Sequence, residues 1–212
     1  MQEIKIFQIA IFIVSIVIHE ISHGYMAYAL GDPTAKEYGR LTLNPLKHLD
    51  IFGSLFLPFL LIISHSPVVL GWAKPVPYNP ELLHKDYKYG PLKVALAGPG
   101  SNLIIAGFFG LILRFGYVFL SQPIISILGY IVFINCLLAV FNLIPIPPLD
   151  GSKLLTIFLP ARYAITLERV GFSGIIFILL LVFLFSNFIF GMTFFLSKLL
   201  VGNQVIGLII GS

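Results

Sequence analysis

The chain has 212 residues, of which 58% are hydrophobic and 10% charged, and its mean hydropathy is +1.00. Soluble domains carry about 25% charged residues, so the composition excludes an ordinary soluble globule and points to a polytopic membrane protein, read as one membrane-embedded domain over 1–212. The net charge of +4 is not a nucleic-acid signal, and a single cysteine, Cys136, excludes a disulfide framework and reads as a small buried hydrophobe.

The first apolar run extends from Ile4 to Leu30. As a helix it would measure about 40 Å at ~1.5 Å per residue, enough to cross a bilayer. It has no small-residue cleavage site and is expected to be retained. Within it lies His19-Glu20-Ile21-Ser22-His23. Histidines four apart fall on one helix face and can share one metal ion, and the intervening glutamate can act on the metal's water. Gly31-Asp32-Pro33 reads as a helix stop. Residues 36–46 are expected to contain a short extended or β segment, because Arg40-Leu41-Thr42-Leu43 alternates and Asn44-Pro45 is a turn signal.

Residues 51–70 are apolar again, but the uninterrupted piece, Ile51 to Ile63, is short and carries Pro58. Basic residues flank it on both sides, so it is expected to be re-entrant, entering and leaving on one side. Residues 71–80 (GWAKPVPYNP) are expected to be extended, since each residue before a proline is pushed from helical geometry. The second clear span is Leu92 to Leu120, opening with Ala97-Gly98-Pro99-Gly100-Ser101-Asn102, small residues that permit close helix packing. Ile124 to Ile144 is the third. It ends in Asn142-Leu143-Ile144-Pro145-Ile146-Pro147-Pro148-Leu149-Asp150-Gly151, an apolar but helix-breaking stretch. Phe172 to Leu200 is the fourth.

Ten of the thirteen Lys and Arg fall in 31–50, 71–93 and 145–171, which assigns these segments to the cytoplasmic side. With the N-terminus outside, the histidine motif, Asn102, Asn142 and Asp150 all fall at the inner end of their spans. Ionisable groups inside a membrane are costly and mark function. Two histidines and one carboxylate leave a fourth zinc position open, as in catalytic sites, and zinc lowers the pKa of its water towards ~7. Glu20 is placed to move the proton, and Asn142 or Asn102 to donate to a developing oxyanion. His48, His65 and His84 read as interfacial polar residues.

HEISH at 19–23, AGPGSN at 97–102 and NLIPIPPLDG at 142–151 together resemble the site-2 protease family of intramembrane zinc metalloproteases, in a compact prokaryotic form without the PDZ domain. The resemblance spans roughly residues 4–160. It implies an all-α polytopic fold with a three-helix catalytic core and a C-terminal transmembrane helix. It implies His19, His23 and Asp150 as ligands of one Zn2+ per chain, Glu20 as general base and Asn142 as polariser of the scissile carbonyl. The expected activity is zinc-dependent hydrolysis of peptide bonds in or near transmembrane segments of protein substrates. The expected location is a multi-pass position in the cell membrane, with the site towards the cytoplasm. The competing expectation is a metal-binding membrane transporter or inactive scaffold homologue, in which Glu20 would have no hydrolytic task.

Overall fold

The structure, a computed structural model, describes residues 2–50, 53, 56, 59, 63, 73–159 and 174–210. Seven α-helices account for most of these: α1 (Gln2–Ala29), α2 (Thr34–Glu37), α3 (Gly90–Gly116), α4 (Gln122–Asn142), α5 (Ser152–Phe158), α6 (Gly174–Val201) and α7 (Asn203–Ile210). Four segments are long and apolar enough to cross a membrane: Ile6–Ala29, Gly90–Phe119, Gln122–Asn142 and Leu184–Val201. They match the four runs expected from hydropathy. The protein is an all-α integral membrane protein. Large side chains such as Phe7, Ile104, Phe115 and Phe188 lie exposed on the outer helix faces. In water such a surface would aggregate, whereas hydrocarbon accepts it.

The arrangement centres on α3, which packs against α1, α4 and α6. Ala106 and Leu113 of α3 meet Ile125, Val132 and Cys136 of α4 and Val201 and Val205 beyond them. Cys136 is a fully buried apolar contact in that cluster, as its neighbours in sequence suggest. A second cluster, Ala27, Leu83 and Val94, ties the end of α1 and the start of α3 to the loop between them.

Among the described residues there is no strand. Residues 36–46 begin in α2, bend over 41–43 and enter a 3-10 turn at Pro45–His48, capped by the Asn44 side chain, which accepts from Leu46 N. The alternating stretch finds no partner edge; Arg40 instead turns inward onto the carbonyls of Lys74 and Pro75. Residues 73–79 have no regular secondary structure, as the prolines require, and Lys74 N donates to His48 O. The expected re-entrant segment at 51–70 lies outside the described residues apart from isolated positions.

Candidate metal centre

Helix α1 places His19 and His23 one turn apart, with Nε2 atoms 3.1 Å from each other. Asp150, in the turn after α4, brings Oδ2 to 3.1 Å from His19 Nε2 and 3.3 Å from His23 Nε2. Among the described residues these three form the one cluster with metal-ligand geometry. Chain segments about 130 residues apart in sequence meet here, as the charge-based topology anticipates.

The proton positions follow from the partners. His23 Nδ1 lies 2.7 Å from the Val94 carbonyl, which can only accept, so Nδ1 carries a hydrogen and the neutral imidazole presents Nε2 as its lone pair. His19 Nδ1 lies 2.6 Å from Asn102 Oδ1. Asn102 is held in that orientation because its Nδ2 donates to Asn135 Oδ1 at 2.8 Å. Asn135 is held in turn: its Nδ2 donates to Ser15 Oγ and to the Ile131 carbonyl. Asn102 and Asn135 are both 0% exposed. A buried polar relay through α4, α3 and α1 therefore fixes the tautomer of His19.

As neutral imidazoles, His19 and His23 thus turn Nε2 lone pairs towards each other and towards the Asp150 carboxylate oxygen at 3.1–3.3 Å. Three lone-pair donors converging in a largely buried place repel unless a cation lies among them. Tetrahedral zinc with bonds of about 2.0–2.1 Å separates its ligand atoms by about 3.3 Å. The donor set and its spacing fit zinc. Gly98 of α3 makes room: a Cβ there would stand 2.6 Å from His19 Nε2 and would also collide with His23.

Glu20, one residue along α1 from His19, reaches the loop with one of its oxygens. Its Oε2 accepts from Val76 N at 2.9 Å. Asn142, the last residue of α4, uses its amide within its own helix. Its Nδ2 donates to Leu138 O within α4, and its carbonyl accepts from Gly151 N, which anchors the turn that carries Asp150. Asn102, read from sequence chiefly as a packing residue, is the direct partner of His19. Asn135 and Ser15 were legible only as polar residues at membrane depth needing partners. His48 is buried, with Nε2 donating to Thr42 O, and His84 is exposed; neither approaches the triad. His65 lies outside the described residues.

Comparison with known proteins gives concordant matches. The model of Peptidase family M50 matches residues 116–186, which include Asn142 and Asp150. "Putative zinc metalloprotease YwhC" of Bacillus subtilis is 39% identical over 176 residues, covering 80% of this chain and 76% of that protein. "Putative zinc metalloprotease Rip2" of Mycolicibacterium smegmatis is 32% identical over 145 residues, 68% of this chain and 53% of that protein. "Putative zinc metalloprotease MJ0611" of Methanocaldococcus jannaschii is 31% identical over 151 residues, covering 70% and 72%. The chain thus spans about half the length of the mycobacterial relative and about three quarters of the other two. No solved structure gives a significant match.

Proposed function

The chain belongs to peptidase family M50, the site-2 protease family, and from that premise we propose that it is an intramembrane zinc endopeptidase, cleaving peptide bonds within or near transmembrane segments of protein substrates. The observation that carries the reading is the convergence of His19 Nε2, His23 Nε2 and Asp150 Oδ2 beside Glu20. These three residues would hold one Zn2+. When bound, zinc supplies a Lewis acid and makes a nearby water acidic enough to attack at neutral pH.

The remaining work falls to the chain. Asn102 and the Val94 carbonyl hold the imidazoles with Nε2 forward. Glu20 accepts the proton of the attacking water and delivers it to the leaving nitrogen. Asn142, once turned from Leu138, donates to the scissile carbonyl; the exchanged helix bond is worth about 1 kcal/mol, so the turn is accessible. The substrate helix unwinds locally before cleavage, because helical hydrogen bonds occupy its carbonyls. The basic segments 31–50 and 71–93 adjoin the histidine end of α1, which supports a site on the cytoplasmic side of a cell membrane.

The test uses purified, zinc-loaded protein and a panel of lysine-flanked apolar peptides with a central Gly, Pro or Asn break. Wild type should cleave a member of the panel. Glu20→Gln should keep its zinc and lose cleavage by at least ~100-fold. Cleavage by Glu20→Gln at the wild-type rate refutes the assignment. Zinc transport into vesicles that survives Glu20→Gln, with no cleavage by either protein, favours the transporter.

A further inference from the structure

Between α2 and α3 the chain lays the strap Lys74–Asn79 along the second half of α1. Val76 sits between Pro75 and Pro77, so the Pro75–Pro77 tripeptide has one backbone N–H, and that N–H goes to Glu20 Oε2 at 2.9 Å. The Val76 side chain is buried against α1 at Gly24, where an added Cβ would stand 2.9 Å from Val76 Cγ1. Further along, Asn79 N donates to Asp32 Oδ2 at 2.6 Å. On the strap's other side stands Arg40, 6% exposed. Its Nη2 donates to Lys74 O at 2.7 Å and to Pro75 O at 3.3 Å. The Pro75 carbonyl belongs to the same peptide unit as the Val76 N–H, and the Lys74 carbonyl to the unit before it. Burial presses the guanidinium towards its neutral form, and the charge of Glu20 opposes this. A buried arginine whose donors end on two consecutive carbonyls fixes a peptide plane more firmly than a lysine could.

Resting on the peptidase reading above, we infer that Arg40 and the Val76 N–H are positioning groups for the catalytic base: Arg40 orients the Lys74–Val76 backbone, and Val76 N–H holds one oxygen of Glu20 so that the other faces the attacking water. A carboxylate held at one oxygen loses rotational freedom about its terminal torsion, which is otherwise broad. A base held in line transfers a proton faster without binding substrate more tightly. The signature is therefore a fall in kcat at unchanged KM.

Val76→Pro deletes the N–H at a place already shaped for proline, since Val76 precedes Pro77 and its neighbours fix an extended backbone. Arg40→Lys keeps the charge and loses the two-carbonyl grip. With the best-cleaved peptide of the panel, each variant should lose about 10-fold or more in kcat, the effect of one hydrogen bond to a charged group. Zinc content and KM should stay at wild-type values, and kcat is compared well below each variant's melting point, because Val76 and Arg40 are both buried. Added methylguanidinium should restore part of the rate of Arg40→Ala and none of that of Val76→Pro. Isotope-edited infrared spectra, with the Glu20 carboxylate stretch assigned by its loss in Glu20→Gln, should show that stretch shifted in Val76→Pro; this readout requires no turnover. Unchanged kcat in both variants, or an unshifted Glu20 band, overturns the inference while wild-type cleavage leaves the peptidase reading intact. Faster cleavage by Val76→Pro also overturns it, because the strap would then be a latch on Glu20. Failure of wild type itself to cleave refutes the peptidase reading, and the infrared shift then decides the Val76–Glu20 contact alone.

Discussion

Replacing Asn102 by Leu should weaken zinc binding about 10- to 100-fold, the range for loss of a partner that orients a metal-ligating histidine. Leucine keeps the heavy-atom branching of asparagine, so the perturbation is chiefly chemical. Asn102 is fully buried and accepts from His19 Nδ1 at 2.6 Å. Leucine leaves that N–H without an acceptor, at a cost of about 1–3 kcal/mol. The imidazole can escape the cost by moving its proton to Nε2, and a protonated Nε2 cannot ligate. The two estimates agree, since a tenfold change is about 1.4 kcal/mol. The assay is competition for zinc against a chelator of known affinity, with purified protein in detergent. Melting of the metal-free protein serves as control, because Asn102 also joins α3 to α4 through Asn135. Asn102→Asp keeps an acceptor for His19 and should bind zinc better than Asn102→Leu. Asn135→Leu should weaken zinc less, and the double variant Asn102→Leu/Asn135→Leu should be no worse than Asn102→Leu alone, because the second residue acts through the first. Zinc affinity of Asn102→Leu within twofold of wild type would refute the argument that the relay sets the His19 tautomer.

Asp150→Ala removes a ligand outright and should lower zinc affinity by more than ~100-fold, beyond the effect of an outer partner; elemental analysis of the purified variant reads this directly, and stoichiometric zinc would rule out Asp150 as a ligand. Gly98→Ala places a methyl group against both histidine rings, held in place at their Nδ1 atoms. The helices can part only at an overpacking cost of about 1–3 kcal/mol, so zinc should be lost at unchanged helix content by circular dichroism, and full zinc occupancy would show that α3 can yield.

The sequence made the clustered triad legible because each of its residues carries its own signal. His19 and His23 share a helical spacing, and Asp150 is an acidic residue at the end of an apolar span. The four spans were legible because hydropathy needs only local information. The outer partners were not. Asn135 and Ser15 lie within apolar helices, and only packing decides which polar group meets which. The alternation at 40–43 misled for a related reason. Period-two patterning describes a strand that has an edge to join, and Arg40 has carbonyls on the strap to satisfy instead. Asn142 shows the converse. Its place in a motif is clear, yet its side chain bonds back to Leu138 and its backbone, not its amide, supports the Asp150 turn.

The prolines do more than interrupt helices. Irregular backbone at membrane depth is tolerable only when its polar groups find partners within the protein, and a proline removes one donor from that demand. Between Asn142 and Gly151, Pro145, Pro147 and Pro148 remove three. Of the remainder, Leu143, Ile144, Ile146, Leu149 and Gly151 each donate to a carbonyl within the same stretch or the end of α4. The turn is thereby nearly self-satisfied, and it can hold the Asp150 carboxylate beside two histidines without water along its backbone. The strap follows the same logic. Pro75 and Pro77 leave Val76 as the local donor, and the one N–H that remains meets the one acidic side chain within α1's apolar core. In both segments proline subtracts hydrogen-bond donors that the interior would have to satisfy, and the donors that survive find acceptors within the protein: the Val76 N–H at Glu20, and those of the turn on the carbonyls beside it.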